Sequence, residues 1–254
     1  MFKIAANLSH LWPELPYLDR FGAAADAGFD GVEVLFPYDM PAKDTQRALM
    51  RCGLPMVLIN APPPNYTGGP RGFAAVPGSQ ARFRFDLRRA VRYCDALRVP
   101  TLHIMAGVAH GPDARATLLE NLAVAADTVP DTMTLTLEPL NGTDMPGYFL
   151  DSFDLAVEIL EELQAPNVGL QFDTYHAQMI HGDCLAVFEA HRKWVRHIQI
   201  GDAPGRSPPF SGQVDFDRFF AAVGASGYAG WISAEYTPTM PTEDSLGWLQ
   251  ALRR

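Results

Sequence analysis

The feature that most constrains the fold is a regular alternation of short β-type runs with longer amphipathic helical patterns along all 254 residues. We count eight strand candidates, at 3–8, 31–36, 55–60, 101–106, 133–139, 168–173, 196–201 and 231–236. A helical pattern follows each of them. Eight strand–helix units in about 250 residues are typical of a (β/α)₈ TIM barrel.

A doubly wound open α/β sheet is the competing arrangement. Such a sheet usually has fewer strands and often begins with a glycine-rich turn that binds a dinucleotide. The sequence contains no GxGxxG, P-loop, HExxH or GxSxG motif. We therefore expect one α/β domain, a single (β/α)₈ barrel over residues 1–254, with no linker to a second domain.

Two long connections break the regular pattern, and both follow strands. Residues 61–80 are rich in proline and glycine and follow the third strand, whereas residues 201–215 follow the seventh. Loops after barrel strands lie on the face that carries active sites. Loops as long as 61–80 are usually functional or disordered, so this segment is either an active-site lid or a mobile insertion.

Composition excludes several classes of protein. The net charge of −9 and the pI near 5.2 disfavour nonspecific binding of nucleic acid. No apolar run approaches the roughly 18 residues of a membrane span. The first residues lack the pattern of a secretory signal, and Cys52, Cys94 and Cys184 form no CxxC motif. We expect a cytoplasmic protein with reduced thiols, no membrane association and no nucleic-acid partner.

The strongest functional signal is the alternation of side chains within the later strands. In the sixth strand, Gln171 and Asp173 alternate with Leu170 and Phe172. The aliphatic set must meet the helices, so the polar set faces the barrel axis. Applied to strands five to eight, this rule selects the last inward residue of each: Glu138, Asp173, Gln199 and Glu235.

Three carboxylates and one amide at a single barrel mouth indicate a cation site. Closely packed carboxylates repel one another at low dielectric and resist ionisation. A divalent cation stabilises such a set, and oxygen ligands favour Mg²⁺ or Mn²⁺. The alternative is a buried polar network satisfied by hydrogen bonds alone.

Basic residues lie close to these strand ends in the sequence. His176 follows Asp173 by three residues, and Arg206 lies in the loop beyond Gln199. Both are candidates to bind an anionic or polyhydroxylated substrate, since arginine pairs with carboxylates in bidentate fashion. His103 has inward parity in the fourth strand and is a weaker candidate.

Other polar residues give weaker signals. Lys3 and Glu33 lie low in the first two strands and, like His103, are weaker candidates for the site; the alternative is that they line the barrel floor as a satisfied polar layer. Four histidines belong to no recognisable constellation and are predicted to lie on the surface: His10, His110, His181 and His191.

Four segments together resemble the hydroxypyruvate isomerase family of the xylose-isomerase-like barrels. They are LEPLN (137–141), FDTYHAQ (172–178), HIQIGDAPGR (197–206) and WISAEYTP (231–238). The resemblance extends through most of the chain, and the combination is far more specific than any single segment.

The resemblance implies a metal site and a pair of acid/base residues. Its divalent-metal ligands would fall on Glu138, Asp173, Gln199 and Glu235, and its acid/base glutamates on Glu138 and Glu235. Related sugar epimerases carry histidine at the third ligand position, so Gln199 favours the hydroxypyruvate branch. Arg206 and His176 would then hold oxygens of the substrate.

The implied reaction is conversion of hydroxypyruvate to tartronate semialdehyde (2-hydroxy-3-oxopropanoate) through an enediolate. Alternatives within the enzyme class are a 2-oxo-tetronate isomerase and a related sugar epimerase. An apurinic-site endonuclease-like protein is disfavoured by the charge of −9 and the few inward histidines. A non-catalytic sugar-binding barrel is disfavoured by the presence of Glu138 and Glu235.

Barrels of this kind often pair, so a homo-oligomer is a further expectation.

One loop departs from the family pattern. Relatives read approximately R-H-E-P-x-x-G-E-I after the seventh strand, whereas this chain has Arg206, Ser207, Pro208 and Pro209, followed by GQV at 212–214. The change removes two polar groups, a His-Glu pair, from a loop near the pocket. Of everything that the resemblance implies, the identity of the substrate is what this difference bears on most.

Overall fold

The computed structural model describes residues 2–62 and 71–253, and its strands close into a parallel barrel in sequence order. The strands are β1 (Lys3–Asn7), β2 (Gly31–Glu33), β3 (Met56–Ala61), β4 (Thr101–Ile104), β5 (Thr134–Leu137), β6 (Val168–Asp173), β7 (Val195–Ile200) and β8 (Trp231–Ala234). The predicted (β/α)₈ architecture is confirmed, and the open-sheet alternative is wrong.

Helices surround the barrel. They are α1 (Arg20–Asp26), α2 (Ala42–Cys52), α3 (Gln80–Leu97), α4 (Gly111–Thr128), α5 (Phe153–Leu163), α6 (Thr174–His181), α7 (Cys184–His191), α8 (Phe216–Ala225) and α9 (Gly247–Leu252). Their ends follow local sequence signals. Ser152 caps α5 by accepting a hydrogen bond from the Leu155 amide, and Gly53 ends α2 in the left-handed conformation. Within the described ranges, no helix has the length and apolarity needed to cross a membrane.

The core lies between the strands and the surrounding helices. Phe172 of β6 is fully buried there, and its ring centroid lies 5.2 Å from that of Phe153, 5.4 Å from that of Phe188 and 5.9 Å from that of Phe219. These partners belong to α5, α7 and α8, so the aliphatic and aromatic set of β6 faces outward to the helices, as predicted. Gln171 and Asp173 consequently face the barrel axis.

The N-terminal end of the barrel differs from expectation at one residue. Lys3 is exposed, and its ammonium lies 5.2 Å from the ring centroid of Trp231 rather than in a polar floor. Both alternatives for Lys3 are wrong because the residue begins β1 at the rim of the barrel, where its charge stays in water. A small apolar cluster of Ala5, Val57 and Leu58 packs with Trp231.

The segment predicted as a lid is only partly described. Residues 63–70 lie outside the described residues, so closure over the site stays a prediction. The part that follows is anchored on the end of β4. The amides of Ala74 and Ala75 donate to the carbonyls of Met105 (3.4 Å) and Ala106 (2.8 Å), and both alanines are buried.

The second long connection is organised by one buried carboxylate. Asp202 accepts hydrogen bonds from the amides of Ser211 (3.1 Å), Gly212 (2.7 Å) and Val214 (2.9 Å). Its own backbone amide donates to the Ser207 carbonyl at 2.8 Å. The loop that departs from the family pattern is therefore tied back to the end of β7, and this holds Arg206 at the barrel mouth.

Candidate active site

The four residues selected by strand parity converge at the C-terminal end of the barrel. Glu138 directly follows β5 and Glu235 directly follows β8, while Asp173 of β6 and Gln199 of β7 are paired in register. All four are buried, with at most 5% of their surface exposed. The structure therefore brings together the residues that the sequence analysis proposed as metal ligands.

A chain of hydrogen bonds orients these side chains. Gln171 donates from Nε2 to Oε2 of Glu138 (3.0 Å) and to Oε1 of Gln199 (2.7 Å), and its own Oε1 accepts from Thr136 at 2.8 Å. Gln199 in turn donates to Glu235. From the sequence, Gln171 is predicted to face inward, but no role at the site is predicted for it. Its position two residues before Asp173, on the same side of β6, is the sequence signal that places it among the site residues.

Beneath the mouth, Glu33 anchors a buried polar layer. Its carboxylate accepts from Asn7 (2.7 Å) and from Gln199 (2.8 Å), and Oε2 lies 2.8 Å from Nε2 of His197. Burial alone would raise the pKa of Glu33, but the charge and hydrogen bond of His197 and the other donors bring it below its usual range. Glu33 is thus a satisfied structural carboxylate, as the second alternative for it predicts. Asn7, which also donates to Glu235 at 2.8 Å, was not foreseen.

Arg206 lies between carboxylates. Its guanidinium contacts Glu235, and its Nη1 lies 3.1 Å from Oδ2 of Asp173. The guanidinium also lies over the ring of Tyr175, 4.7 Å from the centroid. Burial opposes its charge, but Asp173, Glu235 and Glu138 outweigh burial and raise the pKa of Arg206 above its ordinary value. The predicted basic residue is therefore at the site, with its charge already balanced by protein carboxylates.

His176 is held in one tautomer. Its Nδ1 accepts a hydrogen bond from the backbone amide of Asn141 at 3.0 Å, so in the neutral ring the proton lies on Nε2. Burial, and then the nearby charge of Arg206, lowers the pKa of His176 well below its usual value. Its Nε2 lies 2.5 Å from Nη2 of Arg206, so two donors face each other. An acceptor oxygen beside the pair, within reach of both N–H groups, would satisfy both.

Two further histidines reach the mouth. His103 is fully buried, with Nδ1 3.5 Å from Oε2 of Glu138, and burial lowers its pKa to about 3. The surface prediction for His10 is wrong. Its Nε2 lies 3.7 Å from Oε1 of Glu235, and burial together with Arg206 lowers its pKa to about 4. The cause is a turn after β1, closed by the Leu11 amide on the Asn7 carbonyl at 2.9 Å, which folds the chain back across the mouth.

The other histidines lie outside this cluster. His110 and His181 are exposed, as predicted. His191 is half-buried and lies 3.0 Å from a carboxylate oxygen of Asp154.

The carboxyl groups at the mouth outnumber the cationic side chains that the described residues place against them. Burial, with Glu235 and Asp173, raises the pKa of Glu138 well above its usual value. Burial likewise raises the pKa of Glu235 to about 8 and that of Asp173 to about 6, although Arg206 opposes both shifts. Among the described residues, Oε1 of Glu138 has no hydrogen-bond partner, and Oδ2 of Asp173 has only its ion pair with Arg206. A bound cation would satisfy these atoms and return the carboxyl groups to their ionised form.

The donor atoms fit such a cation. Glu138, Asp173 and His176 have possible ligand atoms within 4.8 Å of one another, but His176, with its proton on Nε2, is a donor and leaves the cation to the two carboxylates. This trio overlaps the proposed ligand set at Glu138 and Asp173. In this arrangement Gln199 and Glu235 are instead engaged with Gln171 and Arg206, respectively. The oxygen-rich set suits a hard divalent ion.

A cavity of about 200 Å³ opens at this mouth. Its lining includes the site residues Glu138, Glu235, His176 and Arg206, together with Asn60, Arg71 and His103. A pocket of this size suits a small molecule. A larger surface cleft of about 650 Å³, lined by Asp131, Thr134 and Asn167, lies near the start of β5, away from the face where barrel enzymes hold their chemistry.

Comparisons with known proteins agree with this architecture. Residues 21–252 match the family model described as xylose isomerase-like TIM barrel. The chain is 41% identical to the 2-oxo-tetronate isomerase of Cupriavidus necator over 98% of both sequences. It is 33% identical to the hydroxypyruvate isomerase of Escherichia coli over the full length of both. A crystal structure described as AP endonuclease, family 2, from Brucella melitensis superposes with a TM-score of 0.95 at 40% identity, covering 99% of each chain.

Proposed function

Because the chain belongs to the xylose isomerase-like TIM barrel family and is an isomerase, we propose that it interconverts a small 2-oxo-3-hydroxy acid and its 2-hydroxy-3-oxo isomer. The observation that carries this proposal is the position of Glu138 and Glu235. These glutamates come from two strands, line one small cavity and are both buried. Two carboxyl groups that face one cavity can exchange protons with adjacent carbons of one substrate.

Hydroxypyruvate is the substrate that we favour, with tartronate semialdehyde as the product. A 2-oxo-tetronate is the four-carbon alternative, supported by identities of 41% and 38% to two relatives of that name. Both acids carry a carboxylate at C1, a carbonyl at C2 and a hydroxyl at C3. The same exchange between C2 and C3 therefore serves either one, and the longer acid adds a single hydroxymethylene unit.

The isomerisation moves two protons and leaves the total unchanged. One glutamate removes a proton from C3, and a proton is delivered to C2. The C3 hydroxyl loses its proton to become the new carbonyl, and the C2 oxygen gains a proton to become the new hydroxyl. Glu138 is suited to this work because Gln171 holds its Oε2 while its Oε1 has no partner among the described residues. One oxygen is thus fixed and the other is available to the substrate.

The metal is part of the proposal. Glu138, Asp173, Gln199 and Glu235 would hold Mg²⁺ or Mn²⁺, which when bound polarises the carbonyl and stabilises the negative charge of an enediolate. His176 and Arg206 would both donate to a substrate oxygen placed beside them, because their facing donors otherwise lack an acceptor. These roles are supported by the unpartnered Oε1 of Glu138 and by the raised pKa values of the carboxyl groups.

The test is an isomerase assay with the purified protein, using hydroxypyruvate and a 2-oxo-tetronate as separate substrates. We expect turnover of at least one acid with Mg²⁺ or Mn²⁺ and loss of turnover in EDTA that either metal restores. No turnover of either acid with any divalent ion would contradict the proposal. The ratio of kcat/KM for the two acids shows whether the three-carbon or the four-carbon acid is the preferred substrate.

A nuclease is the competing function, because one similar structure carries the name AP endonuclease, family 2. The chain's net charge of −9 and the small size of the cavity support the isomerase instead. Incision of a duplex with an abasic site, in the absence of isomerase activity, would favour the nuclease. Binding of sugars without either activity would favour a non-catalytic barrel.

A further inference from the structure

On its β3–β4 side, next to Glu138, the cavity carries polar groups that the proposed proton transfers do not use. Asn60 of β3 and His103 of β4 are partners in the strand register, so their side chains lie next to each other at the same level of the barrel. Both are buried, with 4% and 0% of their surface exposed, and both line the cavity. Three of their atoms have no hydrogen-bond partner within residues 2–62 and 71–253: both ring nitrogens of His103 and Oδ1 of Asn60.

Buried polar groups without partners are rare and usually mark a place where a ligand or water binds. The His103 ring carries an N–H donor in either tautomer, and neither of its nitrogens has a partner among the described residues. The Asn60 side chain adds the two N–H donors of its amide nitrogen, whereas its unpartnered Oδ1 is an acceptor and does not bind an anion.

Arg71 adds a positive charge to the same cavity. The backbone beyond it is fixed, because the Ala75 amide donates to the Ala106 carbonyl at 2.8 Å and Asn121 of α4 donates to the Ala74 carbonyl at 2.8 Å. Gly72 makes this approach possible. A Cβ added there would lie 2.6 Å from the Met105 carbonyl oxygen. Arg71 is thus placed at the cavity by a segment anchored to the end of β4.

The two arginines that line the cavity differ in whether protein carboxylates neutralise their charge. Arg206 already contacts the carboxylates of Asp173 and Glu235, so its charge is offset within the protein. Arg71 forms no ion pair with a described residue. An anionic substrate entering a mouth with several carboxylates needs a cation that those carboxylates do not already neutralise, and Arg71 is that cation.

We propose that Arg71, Asn60 and His103 form the subsite that binds the C1 carboxylate of the substrate. This inference rests on the proposed isomerase function and names the part of the site that selects acids over neutral sugars. Arg71 neutralises the carboxylate, and Asn60 and His103 donate hydrogen bonds to its oxygens. The carboxylate is then held on the β3–β4 side while C2 and C3 face Glu138 and Glu235.

The test compares steady-state kinetics of wild-type protein, R71M, R71K and the control R92M with hydroxypyruvate. Arg92 is an exposed arginine of α3 outside the cavity. A hydrogen-bonded charge pair contributes about 1.5–3 kcal/mol, so R71M should raise KM about 10- to 100-fold. The kcat should change less than about threefold, because Arg71 binds C1 in substrate and transition state alike. R71K should be intermediate, and R92M should match wild type.

Dihydroxyacetone, in which a hydroxymethyl group replaces the carboxylate, supplies a second readout. Its inhibition constant against hydroxypyruvate should be the same in wild type and R71M, because it has no charge for Arg71 to bind. A wild-type KM in R71M, or an equal loss of affinity for dihydroxyacetone, would overturn the carboxylate subsite while leaving the isomerase function intact. Failure of wild-type protein to isomerise either acid would instead overturn the proposed function itself.

Discussion

Gln171 donates a hydrogen bond of 3.0 Å from Nε2 to Oε2 of Glu138, and so fixes one oxygen of a carboxylate whose other oxygen faces no described partner. A donor to a carboxylate favours its ionised form. Gln171 is therefore a positioning residue that holds Glu138 in place and keeps it ready to accept a proton.

Replacing this donor should impair turnover in a pH-dependent way. In Q171L we expect kcat to fall about tenfold or more, and the acidic limb of the kcat–pH profile to move to higher pH, since the pKa of Glu138 rises without its donor. T136V, which removes only the hydrogen bond to Gln171 Oε1, is the matched control and should show a smaller effect. An unshifted profile in Q171L would show that Gln171 has a packing role alone.

The two glutamates should be separately essential. E138Q and E235Q each keep the side-chain volume and remove the carboxylate, so we expect kcat to fall at least about 10²-fold, the lower end of the usual contribution of a general acid or base. Neither substitution should unfold the protein, because each removes a buried negative charge from a repulsive cluster. Thermal unfolding followed by circular dichroism checks the fold. Near wild-type kcat in both variants would contradict the scheme.

Metal binding should release protons near neutral pH. Without metal, burial holds the pKa of Glu235 at about 8 and that of Asp173 at about 6, so the folded protein binds protons that the unfolded chain has already lost. The contribution of these two carboxyl groups to folding stability should therefore be greatest at low pH and decline as the pH rises from about 4 to 8. The buried His10, His103 and His176, whose pKa values are lowered, act in the opposite direction below about pH 6.5, so the decline should be seen between about pH 6.5 and 8.

Mg²⁺ requires ionised ligands, so its binding at pH 7 should displace these protons and reverse the decline. Isothermal titration of Mg²⁺ in two buffers of different ionisation enthalpy measures the released protons. Heats that do not depend on the buffer would show that the carboxyl groups are already ionised without metal. E235Q should release fewer protons than wild type.

Gly72 should be intolerant of any side chain. Both Gly72 (φ +96°) and Gly78 (φ +81°) adopt a left-handed backbone, but a Cβ at Gly78 meets nothing within 4 Å, whereas one at Gly72 meets backbone atoms of Met105 and Gly107 at 2.6 and 2.7 Å. G78A should lose about 1–2 kcal/mol from its backbone conformation alone. G72A should lose about 1–3 kcal/mol more, because the two segments must separate. Equal losses of unfolding free energy in urea would contradict the close approach.

The sequence predicted the carboxylates of the site because their placement depends on local geometry. Side chains alternate along any strand, so the aliphatic Leu170 and Phe172 suffice to turn Asp173 inward. The barrel itself followed from counting strand–helix units. A satisfied polar layer was one of the two alternatives for Glu33, since an early inward carboxylate in a barrel needs partners there.

The residues that the sequence missed are those placed by contacts distant in sequence. His10 reaches Glu235 only because residues after β1 turn back over the mouth, and no local pattern marks that turn. Arg71 reaches the cavity because the following residues dock on the end of β4. The parity of Gln171 was visible, but its bond to Glu138 depends on how β5 and β6 pair.

We propose that Glu138 and Glu235 remove a proton from one carbon of a small hydroxy-keto acid and deliver an exchangeable proton to the adjacent carbon. The direct test is isomerisation of hydroxypyruvate in deuterated water with Mg²⁺, followed by proton NMR. We expect wild-type protein to incorporate deuterium at C2 of the product, and E138Q and E235Q to incorporate none. Complete conversion by wild-type protein without any deuterium in the product would show direct hydrogen transfer between the carbons and would contradict this proposal.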